Sequence, residues 1–170
     1  MAPTIKDLQQ KQEIGERDLE AWLKKNGFSY IYVRQNKETF APLFQGNLKR
    51  PDFLVLLESV GLIAVDAKNR AQSRGEYTLP YEKELRRAMT FERLFRIPIW
   101  YAYRGEKSGI WYWISALKAV AVGEVRDDEN GEQFLAIKLD QFERIESNSD
   151  FGKLYTHRLP GLAKIKDMQH

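Results

Sequence analysis

Two carboxylates and an amine lie close together in this chain. Asp52 stands in Arg50-Pro51-Asp52-Phe53-Leu54-Val55, and Asp66 and Lys68 stand in Ala64-Val65-Asp66-Ala67-Lys68. Both segments border apolar runs. Charges at the ends of buried strands are costly unless they are paired or bound to a metal. Hard carboxylate oxygens suit a divalent cation, and an amine beside them can steady charge on a phosphate. Divalent-metal chemistry on phosphate is therefore the strongest use for these groups. The plainer alternative is a solvated strand end after a Pro-Asp turn, and Asp-x-Lys alone is a short pattern.

The elements around these residues must bring them together. Phe53 to Leu57 and Leu62 to Val65 are short continuous apolar runs, the pattern of strands buried on both faces. Glu58-Ser59-Val60-Gly61 between them is turn-like. Antiparallel pairing about that turn sets Asp52 beside Asp66 and Ala67. Asp66 and Lys68, two apart, then share one face while Ala67 points to the other. A helix is expected over Gly15 to Asn26, with Leu19, Trp22 and Leu23 on one face and Gly27 past its end. On that helix Glu16 lies about 70° from the centre of the apolar stripe and Glu20 about 105°. Glu16 is thus the acid that leans inward, a third carboxylate for the site, although an acid in a first helical turn also suits the dipole.

In chain order, Gly15-Glu16, Leu23, Gly27-Phe28, Pro51-Asp52, Asp66-Ala67-Lys68, a helix and Ile97-Pro98-Ile99-Trp100-Tyr101 resemble the PD-(D/E)xK nuclease superfamily. That group includes archaeal Holliday-junction resolvases, many restriction enzymes and repair nucleases. The resemblance covers about residues 14 to 115. It implies an α/β fold with a restriction-endonuclease-like core, a mixed central sheet flanked by helices, here with an additional C-terminal β-hairpin. It also implies a metal-dependent endonuclease acting on DNA phosphodiester bonds. Asp52, Asp66, the Ala67 backbone carbonyl and Glu16 would hold Mg²⁺ or Mn²⁺, and Lys68 would orient the attacking water. Lys49, Arg50, Arg70 and Arg74 flank the motif and would grip phosphates; they equally offset three nearby acids. The runner-up reading is a DNA-binding or assembly module that kept the fold without the catalysis, and a third is an α/β domain unrelated to nucleases in which the motif arises by chance.

Composition is compatible with that assignment. The chain has 170 residues, 43% hydrophobic, enough for one globular domain with a core. It has no cysteine, which excludes a disulfide, a thiol nucleophile and a cysteine-based zinc site, and suits a reducing cytoplasm. No apolar stretch approaches membrane-spanning length, and the polar N-terminus is not a signal peptide. Net charge is +3, with the positive excess in residues 1–110, where the motif lies. A homodimer suits cutting of two strands, and the pattern-poor residues 141–170 leave room for the chain to be part of something longer.

Along the chain the expected order is α-β-β-β-α-β-β with a further hairpin. Phe28 to Arg34 reads as a strand, and Asn36 to Lys49 and Asn69 to Pro80 as loops. Tyr81 to Arg96 reads as an amphipathic helix with Leu85, Ala88, Met89, Leu94 and Phe95 inward. Glu82, Glu84 and Glu92 on it could serve as auxiliary polar groups near the site, with surface charges the better reading. Pro98 to Tyr103 and Ile110 to Ile114 are strands about a turn, and Val120 to Arg126 with Glu132 to Leu139 form a hairpin around Asn130-Gly131. Tyr30, Tyr32, Trp100, Tyr101, Tyr103, Trp111, Tyr112 and Trp113 are expected to fill the core rather than stack on bases. His157 and His170 have no partner spacing that suggests a metal site.

Overall fold

The computed structural model describes residues 5–34, 48–107 and 109–156. The apolar runs flanking Glu58–Gly61 form strands β2 (Phe53–Leu57) and β3 (Gly61–Lys68), paired antiparallel with Phe53 opposite Val65. Helix α1 (Ile5–Lys25) precedes β1 (Ser29–Tyr32), an edge strand antiparallel to β2. Gly27, at φ +74°, lets the chain leave the helix, a left-handed conformation that glycine adopts without strain. Strands β5 (Ile99–Arg104), β6 (Trp111–Ser115) and β9 (Glu143–Ile145) complete a six-stranded sheet of order β1-β2-β3-β5-β6-β9. Its β3–β5 pairing is parallel and its other pairings are antiparallel, so the sheet is mixed.

Both faces of the sheet are covered. Leu19, Trp22 and Leu23 of α1 pack on Phe53, Val55, Val65, Ala67, Trp100 and Trp113. On the other side, α2 (Arg87–Phe95) and α3 (Ala116–Val122) pack on Ala64, Ile99, Tyr101, Tyr103 and Ile114. The architecture is α/β, a central mixed sheet flanked by helices. Strands β7 (Glu124–Asp127) and β8 (Gln133–Lys138) make the additional hairpin. The last described element is α4 (Lys153–Thr156). No helix among the described residues is long and apolar enough to cross a membrane.

Several elements differ from expectation, each for a local reason. Asn69 to Pro80 is not all loop: β4 (Glu76–Pro80) pairs with β8 and buries Tyr77 and Leu79 in alternation, forming a second sheet of order β4-β8-β7. Val120 to Arg126 is not one strand, because Ser115 caps α3 by accepting the Lys118 N–H at 3.1 Å and the chain stays helical to Val122. The polar residues before Gly15, which the sequence left free to extend the first helix or fray, extend it back to Ile5. On α2 the inward residues are Ala88 and Phe91, while Leu94 and Phe95 are exposed. Trp100, Tyr101, Tyr103, Trp111 and Trp113 are core as expected, but Tyr32 is 45% exposed. Most of the expected loop from Asn36 to Lys49, and His157 and His170, lie outside the described residues.

Candidate active site

Sheet alternation sorts the polar groups. Ile63, Val65 and Ala67 belong to the α1 side of β3 and Ala64 to the α2 side, so Asp66 and Lys68 project toward α2. Asp66 lies beside Tyr101 in the parallel β3–β5 register. Asp52 enters the ladder one residue before β2, donating its backbone N–H to the Val65 carbonyl at 3.0 Å. Its Oδ2 accepts the Ala67 N–H at 2.8 Å. Asp52 and Asp66 are 2% and 1% exposed, an unusual depth for two carboxylates.

On the α2 side four charges close into a ring. Lys49 Nζ lies 2.7 Å from Asp66 Oδ1 and 2.8 Å from Glu84 Oε2. Lys68 Nζ lies 2.6 Å from Asp66 Oδ2 and 2.8 Å from the same Glu84 Oε2. All four side chains are at most 20% exposed. Two anions and two cations leave the ring formally neutral. Asp66 Oδ2 and Glu84 Oε2 meet no donor other than these ammoniums among the described residues. The Lys68 ammonium also stands 5.6 Å from the centre of the Tyr101 ring.

Glu84 is the residue that sequence reasoning missed. Tyr81–Arg86 is a π-helical turn between β4 and α2, and it turns Glu84 toward the sheet although a regular helical reading puts it among surface charges. Its neighbours Glu82 and Arg86 pair with each other in solvent, as surface charges do. The available signal was a glutamate one residue before the apolar Leu85, but the irregular turn hides its direction. Glu92, also read as a surface charge, instead accepts the Ile99 N–H through Oε1 at 2.8 Å and ties α2 to β5.

Glu16 approaches from the α1 side. It is 9% exposed, whereas the Glu20 side chain is 34% exposed and pairs with Lys24. Tyr32 donates its hydroxyl to Glu16 Oε2 at 3.0 Å, and Gln12 donates to Oε1 at 3.2 Å. Gly15 makes this approach available. A Cβ there would stand 2.9 Å from the Asn69 Cβ, just past β3, so any side chain would force α1 away.

The electrostatics record the crowding. Burial raises the Asp52 carboxyl well above the ordinary range, and the Asp66 and Glu16 charges push it further, against Lys49 and the Ala67 N–H. Burial alone would raise Glu84 too, but Lys68 and Lys49 outweigh it and hold that carboxyl at about 2. Lys49 loses solvation on burial, yet Asp66, Glu84 and Asp52 together keep its ammonium firmly protonated. Burial also drives the Tyr32 phenol up to about 12, helped by its bond to Glu16.

The flanking basic residues separate into two groups. Lys49 is inside the ring, and its backbone N–H donates to the Arg87 carbonyl at 3.1 Å. Arg50 is half-buried, and burial lowers its guanidinium below the usual value. Arg70 and Arg74 are exposed beyond Lys68. A further basic groove of about 790 Å³ runs along α2, lined by Arg86, Arg93 and Arg96.

Asp52, Asp66 and Glu16 are carboxylate oxygen donors of the kind Mg²⁺ and Mn²⁺ prefer, so the chemistry of the donor set fits a hard divalent cation. Among the described residues no three acidic, histidine or cysteine side chains are already gathered into a metal-holding group. The acids are closed on lysines instead.

No protein-family model and no curated protein matches the chain. Among solved structures it is similar to Hjc from Archaeoglobus fulgidus, a Holliday junction resolvase from an archaeal hyperthermophile. The two share 21% identity, the match covers 75% of this chain and 84% of that one, and the TM-score is 0.48.

Proposed function

We propose that this protein is a metal-dependent endonuclease that hydrolyses DNA phosphodiester bonds. One observation carries the reading: buried Asp66 and half-buried Lys68 stand two apart at the end of β3 and pair at 2.6 Å, with buried Asp52, its carboxyl raised by burial and then by like charge, beside them. Asp52, Asp66, the Ala67 carbonyl and Glu16 would hold Mg²⁺ or Mn²⁺. When bound, such an ion supplies a more acidic water and neutralises charge on the phosphate. Lys68, steadied by Glu84, orients the water whose oxygen forms the new bond to phosphorus. The same ammonium stabilises the pentacoordinate phosphate before one ester P–O bond breaks to leave an alcohol and a phosphate monoester. Arg50, Arg70 and Arg74 bind the backbone on either side.

The closure of Asp66 on two lysines favours a second reading, a DNA-binding module without catalysis. Incubating labelled duplex, flap and junction DNA with Mg²⁺ or Mn²⁺ separates the two. Cleavage by the parent that Asp66→Asn abolishes supports the nuclease. Binding without cleavage of any substrate supports the module.

A further inference from the structure

We propose that the Lys49 ammonium occupies the place of a cation at Asp66, and that a divalent ion binds there by displacing it. The inference rests on the metal-dependent reading above and adds how the site is kept closed without metal.

The position of Lys49 supports it. Its Nζ spans Asp66 Oδ1 and Glu84 Oε2 at 2.7 and 2.8 Å. It is therefore one cation bridging two carboxylates, one of them a residue assigned to the metal. Coulombic demand at such a point is met by either an ammonium or a divalent ion, and both cannot occupy it.

Lys68 is the poorer candidate for release. It projects from β3 where that strand pairs with β5, and its ammonium stands over the Tyr101 ring. Lys49 precedes β2 on irregular chain, so its side chain can leave without disturbing a ladder. Glu84 then keeps one cation, Lys68, in register after Lys49 departs. Released, the Lys49 ammonium lies next to Arg50, where a phosphate would be received.

Calorimetric titration of the full chain with Mn²⁺ alone tests this, using the parent, Lys49→Met and Arg70→Ala as a control for lost charge at an exposed position. Lys49→Met is expected to bind about tenfold more tightly than the parent, since removing a competitor at contact distance outweighs a screened distant charge. Arg70→Ala should stay within about twofold. Equal tightening in both variants, or none in Lys49→Met, overturns the inference. A parent and a Lys49→Met variant that both fail to bind Mn²⁺ would instead remove the metal-dependent reading on which it rests. Side-chain ammonium NMR of the parent needs no variant to fold. Adding Mg²⁺ should release the Lys49 ammonium into fast solvent exchange and leave that of Lys68 protected. A Lys49 signal still protected at saturating Mg²⁺ overturns the displacement.

Discussion

At the end of β3, Asp66, Glu84, Lys49 and Lys68 form a ring with side chains 2–20% exposed; on the small sheet, Arg126 joins Glu76 and Glu124 with side chains 39%, 20% and 67% exposed. The two sets use the same chemistry, ammonium or guanidinium on carboxylate at 2.6–2.8 Å. They differ in solvent. Water screens the Arg126 cluster and would replace either partner, so its geometry is a by-product of a strand surface. The ring has given up its hydration and depends on every member, because loss of one leaves a buried charge uncompensated. Contact distance alone therefore says little about which charges matter, and burial says most of it.

Breaking the ring at its chemical centre should have the largest effect. Asp66→Asn and Lys68→Ala should each lower the DNA cleavage rate by at least about 100-fold, measured as single-turnover cutting, with circular dichroism confirming the fold. An Arg126→Ala control should cut at the parent rate.

Glu84→Gln comes next and should destabilise by roughly 2–4 kcal/mol at neutral pH in urea unfolding, since two half-buried lysines lose a shared anion. The Glu84 carboxyl is lowered to about 2 from an ordinary 4.5. Its contribution is therefore full above the ordinary value and lost as pH falls through the lowered one. The gap between parent and variant should close on acidification across that window. Gly15→Ala should cost about 1–3 kcal/mol through the contact with Asn69, and should loosen Glu16 from Tyr32.

Asp52→Asn has the opposite sign. The folded protein holds the Asp52 proton more tightly than the unfolded chain, so the parent loses stability as pH rises from the ordinary carboxylate range toward the raised value. The variant lacks that loss. Its melting temperature should exceed the parent's by a few degrees at neutral pH and by less near pH 4. Arg126→Ala should have the smallest effect, with a melting temperature within about a degree of the parent's.

Different parts of this contrast were legible to different degrees. The hairpin that aligns Asp52 with Asp66 follows from two apolar runs and a four-residue turn, all local signals. The inward lean of Glu16 follows from helical angle alone. Glu84 was hidden because a π-helical turn breaks the period by which faces are read. Strand β4 was hidden because its partner β8 lies more than fifty residues away, and only that pairing makes the alternation of Tyr77 and Leu79 meaningful. The Ser115 cap was readable, but the valines after it look as much like strand as helix.

The parallel register of β3 with β5 also bears on the order in which the molecule assembles. Asp52, Asp66 and Lys68 meet through a hairpin closed by a short turn, a contact that forms early in a folding chain. Glu84 arrives only when the crossover from Asn69 to Pro98 has closed, a longer loop with a larger entropic barrier. Until then Asp66 faces two ammoniums, Lys49 and Lys68, and water must solvate the surplus positive charge. Docking of the crossover expels that water and brings the Glu84 carboxylate that both ammoniums share. Closure of the chain and completion of the charged centre are thus a single kinetic step, and a chain stalled before it holds the acids but not their arrangement.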